Sequence, residues 1–174
     1  MPSQTGKNPS IIGPFLTRRA QLADQQMLNA LHDECSLPSR YARYASARKS
    51  LTTAQWSRLL HPGAGVTWVT VLRDSPETAV AVTHLLKTDH PGRGELALLI
   101  GDQYQGQGLG TWLFRLAMST AEDDPAWRMV TATFSAYNKR ARAILQRHGI
   151  YLPPVSHGAV DVTVHVRTSS GRCR

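Results

Sequence analysis

The sequence is short of cysteine, of aromatic residues and of acidic residues, and it has no long apolar run. Its two cysteines, Cys35 and Cys173, have neither the spacing of a zinc site nor that of a disulfide framework, and both read as free thiols. A bilayer span needs about 18 consecutive apolar residues. None is present, and residues 1–6 lack the charged-then-apolar order of a secretory leader, so a cytoplasmic protein is expected. The histidines (His32, His61, His84, His90, His148, His157 and His165) show no metal-ligand spacing, and no metal is expected. With 12 acidic residues against 20 Lys and Arg, the net charge is +8 and the pI about 10.1, which raises nucleic-acid binding as a class. The distribution argues against it, because the arginines are spread from Arg18 to Arg147 with no basic helix and no interleaving with aromatics. Neither nucleic acid nor membrane is expected as a partner.

What the chain does contain suits one globular domain. It has 174 residues, of which 41% are hydrophobic and 18% charged, enough to bury a substantial core. Residues 1–10 are polar, with Pro2, Gly6 and Pro9, and are expected to be disordered; one domain is expected over 11–167, followed by a flexible tail at 168–174. Residues 14–18 read as a first strand. Met27, Ala30 and Leu31 recur at helical spacing within 24–34, Leu37-Pro38-Ser39 breaks that helix, and Ser39 is a candidate cap for a short arginine-bearing helix with Tyr41 and Tyr44. A further helix fits 52–60, stopped by His61-Pro62-Gly63. Segments 66–72 and 78–86 are rich in valine and threonine and are split by Asp74-Ser75-Pro76, a strand-turn-strand signal.

The second half reads as a strand at 95–100, then a helix with Leu109, Trp112, Leu113, Leu116 and Ala117 along one stripe. A strand at 129–134 and a helix at 138–147 follow. In a last strand Val160, Val162, Val164 and Val166 alternate with Asp161, Thr163, His165 and Arg167. Trp56, Trp68, Trp112 and Trp127 are read as core or loop packing. This order alone specifies no more than an α/β domain.

The most informative segment lies between the 95–100 strand and the following helix: Gln105-Gly106-Gln107-Gly108-Leu109-Gly110-Thr111. Glycine removes the side chains that keep a phosphate off the backbone, and it permits the positive φ of a tight strand-to-helix turn. The amides of the first helical turn can then face an anion. A flexible loop before a helix is the plainer reading of the same residues. A P-loop is excluded, since Leu109-Gly110-Thr111-Trp112 and not Lys-Ser or Lys-Thr follows Gly108. The dinucleotide fingerprint fits poorly, since the glycines recur at intervals of two and fall late in the chain.

The segment matches Gln/Arg-x-x-Gly-x-Gly/Ala, with Gln105, Gly108 and Gly110 in the fixed positions. Before it, Glu95-Leu96-Ala97-Leu98-Leu99-Ile100 fills the place of a fourth strand. After it comes Asn138-x-x-Ala141-x-x-Ile144-Leu145-x-x-x-Gly149-Ile150, a late helix and the residues that follow it. In these three parts the chain resembles the GNAT (Gcn5-related) N-acetyltransferases over roughly residues 11 to 167. Its catalytic region is similar to that of bacterial protein-lysine acetyltransferases. The resemblance implies an α/β (α+β) fold with a mixed central sheet of about six to seven strands, splayed between strands 4 and 5 and flanked by helices. It also implies acetyl-CoA as cofactor and coenzyme A as product, without a metal. Backbone groups of Leu98, Leu99 and Ile100 would pair with the pantetheine arm, and the amides of Gln105, Gly106, Gln107, Gly108, Leu109, Gly110 and Thr111 would hold the pyrophosphate. Asn138 would bond the cofactor arm, a role compatible with capping the following helix. Lys139, Arg140 and Arg142 are candidates to meet phosphate, Arg142 foremost, or else form a solvated helix face.

Attack on a thioester needs a neutral amine, so a group must accept its proton. Glu95, ten residues before the motif glutamine, stands where the resembling enzymes carry their base. Strand alternation puts it on one face with Ala97 and Leu99, and partial burial is expected to tune it for proton transfer; an edge-exposed glutamate at a strand start is the structural alternative. Leu145 stands where many members of the family carry a tyrosine that protonates the thiolate, which leaves Tyr137, Tyr151 or water for that step. The acceptor stays open at this level. Residues 36–44 with Leu51-Thr52 resemble a region of the protein-lysine enzymes, whereas a lone catalytic domain equally suits a small aminosugar or an aminoglycoside-type antibiotic, the favoured reading. A non-catalytic acyl-CoA-binding module is the alternative of another class. Monomer and homodimer are both compatible with the sequence.

Overall fold

The computed structural model describes residues 9–44 and 50–167. The disordered start and flexible tail expected at the two ends lie, apart from residues 9 and 10, outside the described residues, as does Cys173. In chain order the elements are β1 (Ser10–Ile12), β2 (Phe15–Arg19), α1 (Gln25–Glu34), α2 (Leu37–Tyr44), α3 (Thr53–Leu59), β3 (Gly65–Leu72), β4 (Ala79–Lys87), β5 (Arg93–Ile100), α4 (Leu109–Glu122), β6 (Met129–Ser135), α5 (Lys139–Arg147) and β7 (Ala159–His165). The strands form one mixed sheet in sequence order, β1 to β7, with every pairing antiparallel except the parallel pair of β5 and β6. Parallel strands need a long crossover, and α4 supplies it. None of the described helices is long and apolar enough to cross a membrane.

The sheet is sandwiched between helices. On one face Leu28, Leu31 and Cys35 from α1, with Leu51 and Trp56, pack on Val69, Val71, Val82 and Leu99. On the other, Phe114, Ala117 and Ala121 of α4 and Leu145 of α5 pack on Leu85, Leu96, Val130, Phe134, Val160 and Val162. Of the α4 stripe read from the sequence, Leu109, Leu113 and Ala117 are buried and Trp112 and Leu116 half-buried. Trp56, Trp68 and Trp127 are core residues, and His32 and His84 are buried with ring nitrogens bonded to the Leu28 carbonyl (2.6 Å) and the Thr67 hydroxyl (3.0 Å).

Several local expectations are corrected. The first strand is a hairpin, with Pro14 in the turn after Gly13. The buried stripe of α1 is Leu28, Leu31, His32 and Cys35, while Ala30 is exposed; the helix is rotated toward its larger apolar side chains. The break before α2 falls at Cys35-Ser36, and Pro38 sits in the first turn, where its missing N–H is harmless. Ser36, not Ser39, caps this helix, accepting from the Ser39 amide at 3.4 Å. Thr52 caps α3 and forms a reciprocal pair with Gln55.

Candidate active site

The ladder between β5 and β6 is short. Arg93, Gly94 and Glu95 pair with Met129, Val130 and Thr131, and no pair follows, although both strands run on. Past Glu95 the sheet therefore opens into a cleft, one side of which is the unpaired edge of β5 at Leu96 to Ile100. The other edge of β5 is fully paired with β4, which holds the strand rigid. Of the backbone groups expected to pair with a pantetheine arm, those of Leu98 and Leu99 lie along this open edge. The Ile100 carbonyl already accepts from Gln105 Nε2 at 2.8 Å.

At the end of the open edge a single turn of tight helix, Asp102–Tyr104, leads into the Gly-rich loop. Gly106 and Gly108 have φ of 79° and 84°, in the left-handed region, and nothing lies within 4 Å of where a Cβ would stand. Gly108 caps α4 without a side-chain hydrogen bond, so the first-turn amides at Leu109, Gly110 and Thr111 lack a side-chain cap. An open, side-chain-free turn at the positive end of a 14-residue helix is what a pyrophosphate requires. Leu109 anchors that turn, 1% exposed among Phe15, Val80, Ala81 and Leu113. Gln107 folds back onto the Gln103 carbonyl (2.9 Å). Gly110 has a different job from the one expected. It has no positive φ, and a Cβ there would stand 2.8 Å from Ile144 Cδ1, so this glycine permits the close approach of α4 and α5.

Glu95 occupies the last paired rung, where the cleft begins. It is exposed, so the expected partial burial is not met. It does share a face with Leu99, and by register with Thr131, Thr163, Thr133 and Asp161. Helices α1 to α3 cover that face over β2 to β5 and α2 reaches β6, while Glu95, Thr133, Asp161 and Thr163 stay exposed. The result is an open polar surface of hydroxyls and two carboxylates, on which the Thr133 hydroxyl donates to Asp161 at 2.5 Å. Asn138 caps α5, its side-chain oxygen accepting from the Ala141 amide at 3.0 Å, and its amide NH2 has no partner among the described residues. Arg142 is half-buried in α5, and Arg140, two residues earlier, is close enough to Asp102 to help hold that carboxyl ionised. Leu145 is buried in the core, while Tyr137 and Tyr151 are 89% and 80% exposed. Among the described residues no cluster of His, Cys, Asp and Glu could hold a metal. A cavity of about 180 Å³ lies beside the β4–β5 turn against Arg93 and Trp127, at the far end of β5 from the loop. At the mouth of the cleft Glu95, Thr133, Asp161 and Thr163 are all exposed.

A mixed sheet that opens beside a Gly-rich strand-to-helix turn leaves a strand edge and a row of backbone amides free for a ligand. The particular family follows from comparison: residues 16–150 match the model of the acetyltransferase (GNAT) domain. The chain belongs to the GNAT acetyltransferases, enzymes that acylate amines from acetyl-CoA. Among solved structures it is similar to the GNAT domain of S. lividans PAT (TM-score 0.77, 17% identity, covering 90% of this chain and 96% of that one). It is also similar to the ribosomal-protein-S5-alanine acetyltransferase of Vibrio fischeri (TM-score 0.71, 11% identity, covering 91% and 96%). A third is the spermidine N-acetyltransferase of Vibrio cholerae, solved with CoA and spermine (TM-score 0.68, 11% identity, covering 88% and 96%). No curated protein matches the sequence.

Proposed function

We propose that this enzyme transfers an acetyl group from acetyl-CoA to a primary amine on a small, hydroxyl-bearing acceptor of the aminosugar type, in the cytoplasm. The observation that carries the reading is the open face on which Glu95, Thr131, Thr133, Asp161 and Thr163 stand together beside the splay. Hydroxyls and carboxylates suit a ligand rich in hydroxyl and ammonium groups, and they soften the net positive charge at this one place. Two of the structural neighbours named above are a ribosomal-protein-S5-alanine acetyltransferase and a spermidine N-acetyltransferase, so the fold alone does not choose the acceptor.

The cofactor fits the residues present. Open positive-φ glycines and uncapped amides at residues 106–111 would hold the pyrophosphate, Arg140 and Arg142 would face its charge, and the Asn138 amide would meet the pantetheine arm. Acetyl-CoA supplies an activated acyl group whose leaving thiolate is tolerable, a free thiol having a pKa of about 8.5. Glu95, being exposed, takes the amine proton through a water rather than by burial-tuned contact. Leu145 cannot donate a proton and sits in the core, so water protonates the thiolate.

The openness of the groove also admits a lysine on a protein surface, the second reading. Thiol release from acetyl-CoA across aminosugars, aminoglycosides and lysine-bearing proteins, with products identified by mass spectrometry, separates the two. Transfer to an aminosugar is expected. Transfer confined to protein lysines replaces the acceptor class, and coenzyme A binding without transfer to any amine reduces the protein to an acyl-CoA-binding module.

A further inference from the structure

Helix α2 runs along the open cleft, touching both β5 and β6, yet none of Leu37, Pro38, Tyr41 and Ala42 belongs to a hydrophobic cluster. Leu37 and Tyr41 are 49% and 51% exposed. Polar contacts hold it instead. Arg40 Nη1 donates to the carbonyls of Cys35 (2.7 Å) and His32 (3.2 Å), at the end of α1. The remaining anchor is Asp102. One of its oxygens accepts from the Ser36 amide at 2.6 Å; the other accepts from the hydroxyls of Ser39 (2.6 Å) and Ser36 (3.0 Å). Asp102 stands at the base of the Gly-rich loop, just after Gly101, whose amide is fixed to the Val80 carbonyl at 2.9 Å. Gln105, the first residue of the loop, reaches the same group: its Nε2 lies 3.2 Å from Ser39 Oγ and 3.4 Å from Asp102 Oδ1, beside its bond to Ile100.

We propose that Asp102 is a positioning residue that couples the cofactor loop to the acceptor side of the cleft, so that occupation of the loop by coenzyme A fixes α2 in place. The proposal rests on the reading of residues 105–111 as the cofactor cradle. The physical basis is an asymmetry of attachment. A helix docked by apolar burial would be indifferent to the loop, whereas an eight-residue helix held by the buried Arg40 bonds and, toward the loop, by exposed hydrogen bonds to Asp102 is only marginally stable and opens locally. Its anchors are the groups an anion at the loop would order: Gln105 has two amide hydrogens for three acceptors, and restraining its backbone restrains Ser39 and Asp102 with it. Desolvation works against ionisation of Asp102, but the hydrogen bonds from Ser36 and Ser39 and the nearby Arg140 charge outweigh it and hold the carboxyl below its ordinary value. The hub therefore stays charged at neutral pH. Coupling of this kind is reciprocal, so a bound acceptor tightens the cofactor in turn. None of these contacts has a sequence signature, since Ser36 and Asp102 are 66 residues apart.

Hydrogen exchange on the full chain, with and without saturating coenzyme A, tests the coupling without knowledge of the acceptor. In the wild type, coenzyme A is expected to slow exchange at residues 37–42 about tenfold, together with the first turn of α4. In Asp102→Asn and in Ser39→Ala the response of 37–42 should fall below about threefold. Protection of the α4 turn, and the coenzyme A Kd by calorimetry, should stay within about threefold of wild type. With a working acceptor, Asp102→Asn should raise the acceptor KM at saturating acetyl-CoA, and the acetyl-CoA KM only at saturating acceptor, a dependence that general destabilisation would not produce. Protection of the α4 turn with no response at 37–42 overturns the coupling alone, as does an unchanged response in both variants. Absence of protection at either place overturns the cradle reading and the coupling with it.

Discussion

In the proposed reaction Glu95 accepts the amine proton, and its setting is the last paired rung between β5 and β6, at the mouth of the splay. Replacing it with glutamine keeps the shape and removes the proton acceptor. The expected result is a fall in kcat of about a hundredfold or more, the range of general-base contributions, with the coenzyme A Kd within about twofold of wild type, measured by thiol release and calorimetry. Unchanged turnover would move the base elsewhere. The glycines separate in the same way. Gly108→Asp combines a φ of 84° with a carboxylate at the cradle, so coenzyme A affinity should be lost. Gly110→Val crowds Ile144 and should cost about 1–3 kcal/mol of stability, the usual penalty of overpacking, with folded protein still binding coenzyme A. Cys35 is a third case. Burial, helped by the Asp102 carboxylate, pushes its thiol up to about 11. Its raised value means the folded chain holds the proton longer than the unfolded one, so stability should decline between about pH 9 and 11 and not below. In a Cys173→Ser background, Cys35 should react slowly with an aromatic disulfide at pH 8, and rapid labelling would contradict its burial.

At the level of elements, α5 shows how one residue can serve two ends. The Asn138 side-chain oxygen caps the helix, while its amide NH2 has no partner among the described residues and is the proposed donor to the cofactor arm. Asn138→Ser keeps an acceptor for the Ala141 amide and removes the amide donor, so melting should be nearly unchanged and coenzyme A should bind more weakly. Asn138→Ala loses both, with about 1 kcal/mol of stability. Equal coenzyme A affinity in wild type and Asn138→Ser would leave Asn138 a cap alone. The elements themselves were well marked in the chain: valine-rich strands split by Asp-Ser-Pro, the α4 stripe and the alternating last strand all appear where periodicity put them. Element ends were less legible. Pro14 looked like strand and is a turn, and Ser39 looked like a cap although Ser36 holds that place; such details are settled by which backbone groups find partners, and the partners come from elsewhere in the fold.

For the whole molecule the decisive feature is the opening of the sheet between β5 and β6. The unpaired edge leaves backbone groups and a groove available to a long cofactor, and binding there should stabilise the folded chain by mass action. At a coenzyme A concentration of about 100 times its Kd the gain is about 2.7 kcal/mol, which for a chain of this size corresponds to a rise in Tm of about 5–10 °C. Differential scanning fluorimetry would register it, and no shift at such a ratio would contradict a cofactor cleft. The same opening divides polar from apolar surface: one face of β6 and β7 is core, and the other carries Thr131, Thr133, Asp161 and Thr163 toward the acceptor.

The sequence by itself determined the order of the elements and the Gly-rich turn, because those depend on local periodicity and on glycines whose backbone demands are local, and the resemblance of three segments pointed to the family. It placed Glu95 at the start of a strand and could not say that the residue is exposed, since exposure depends on how far α1 to α3 reach across the sheet. Only the tertiary structure decided that Gly110 serves helix packing, that Leu145 is core, and that Asp161 shares a face with Glu95 two strands away. Asp102 was invisible for the same reason. Its partners are brought to it by the fold, and hydrogen bonds between residues 63 and 66 apart leave no periodic trace in a chain.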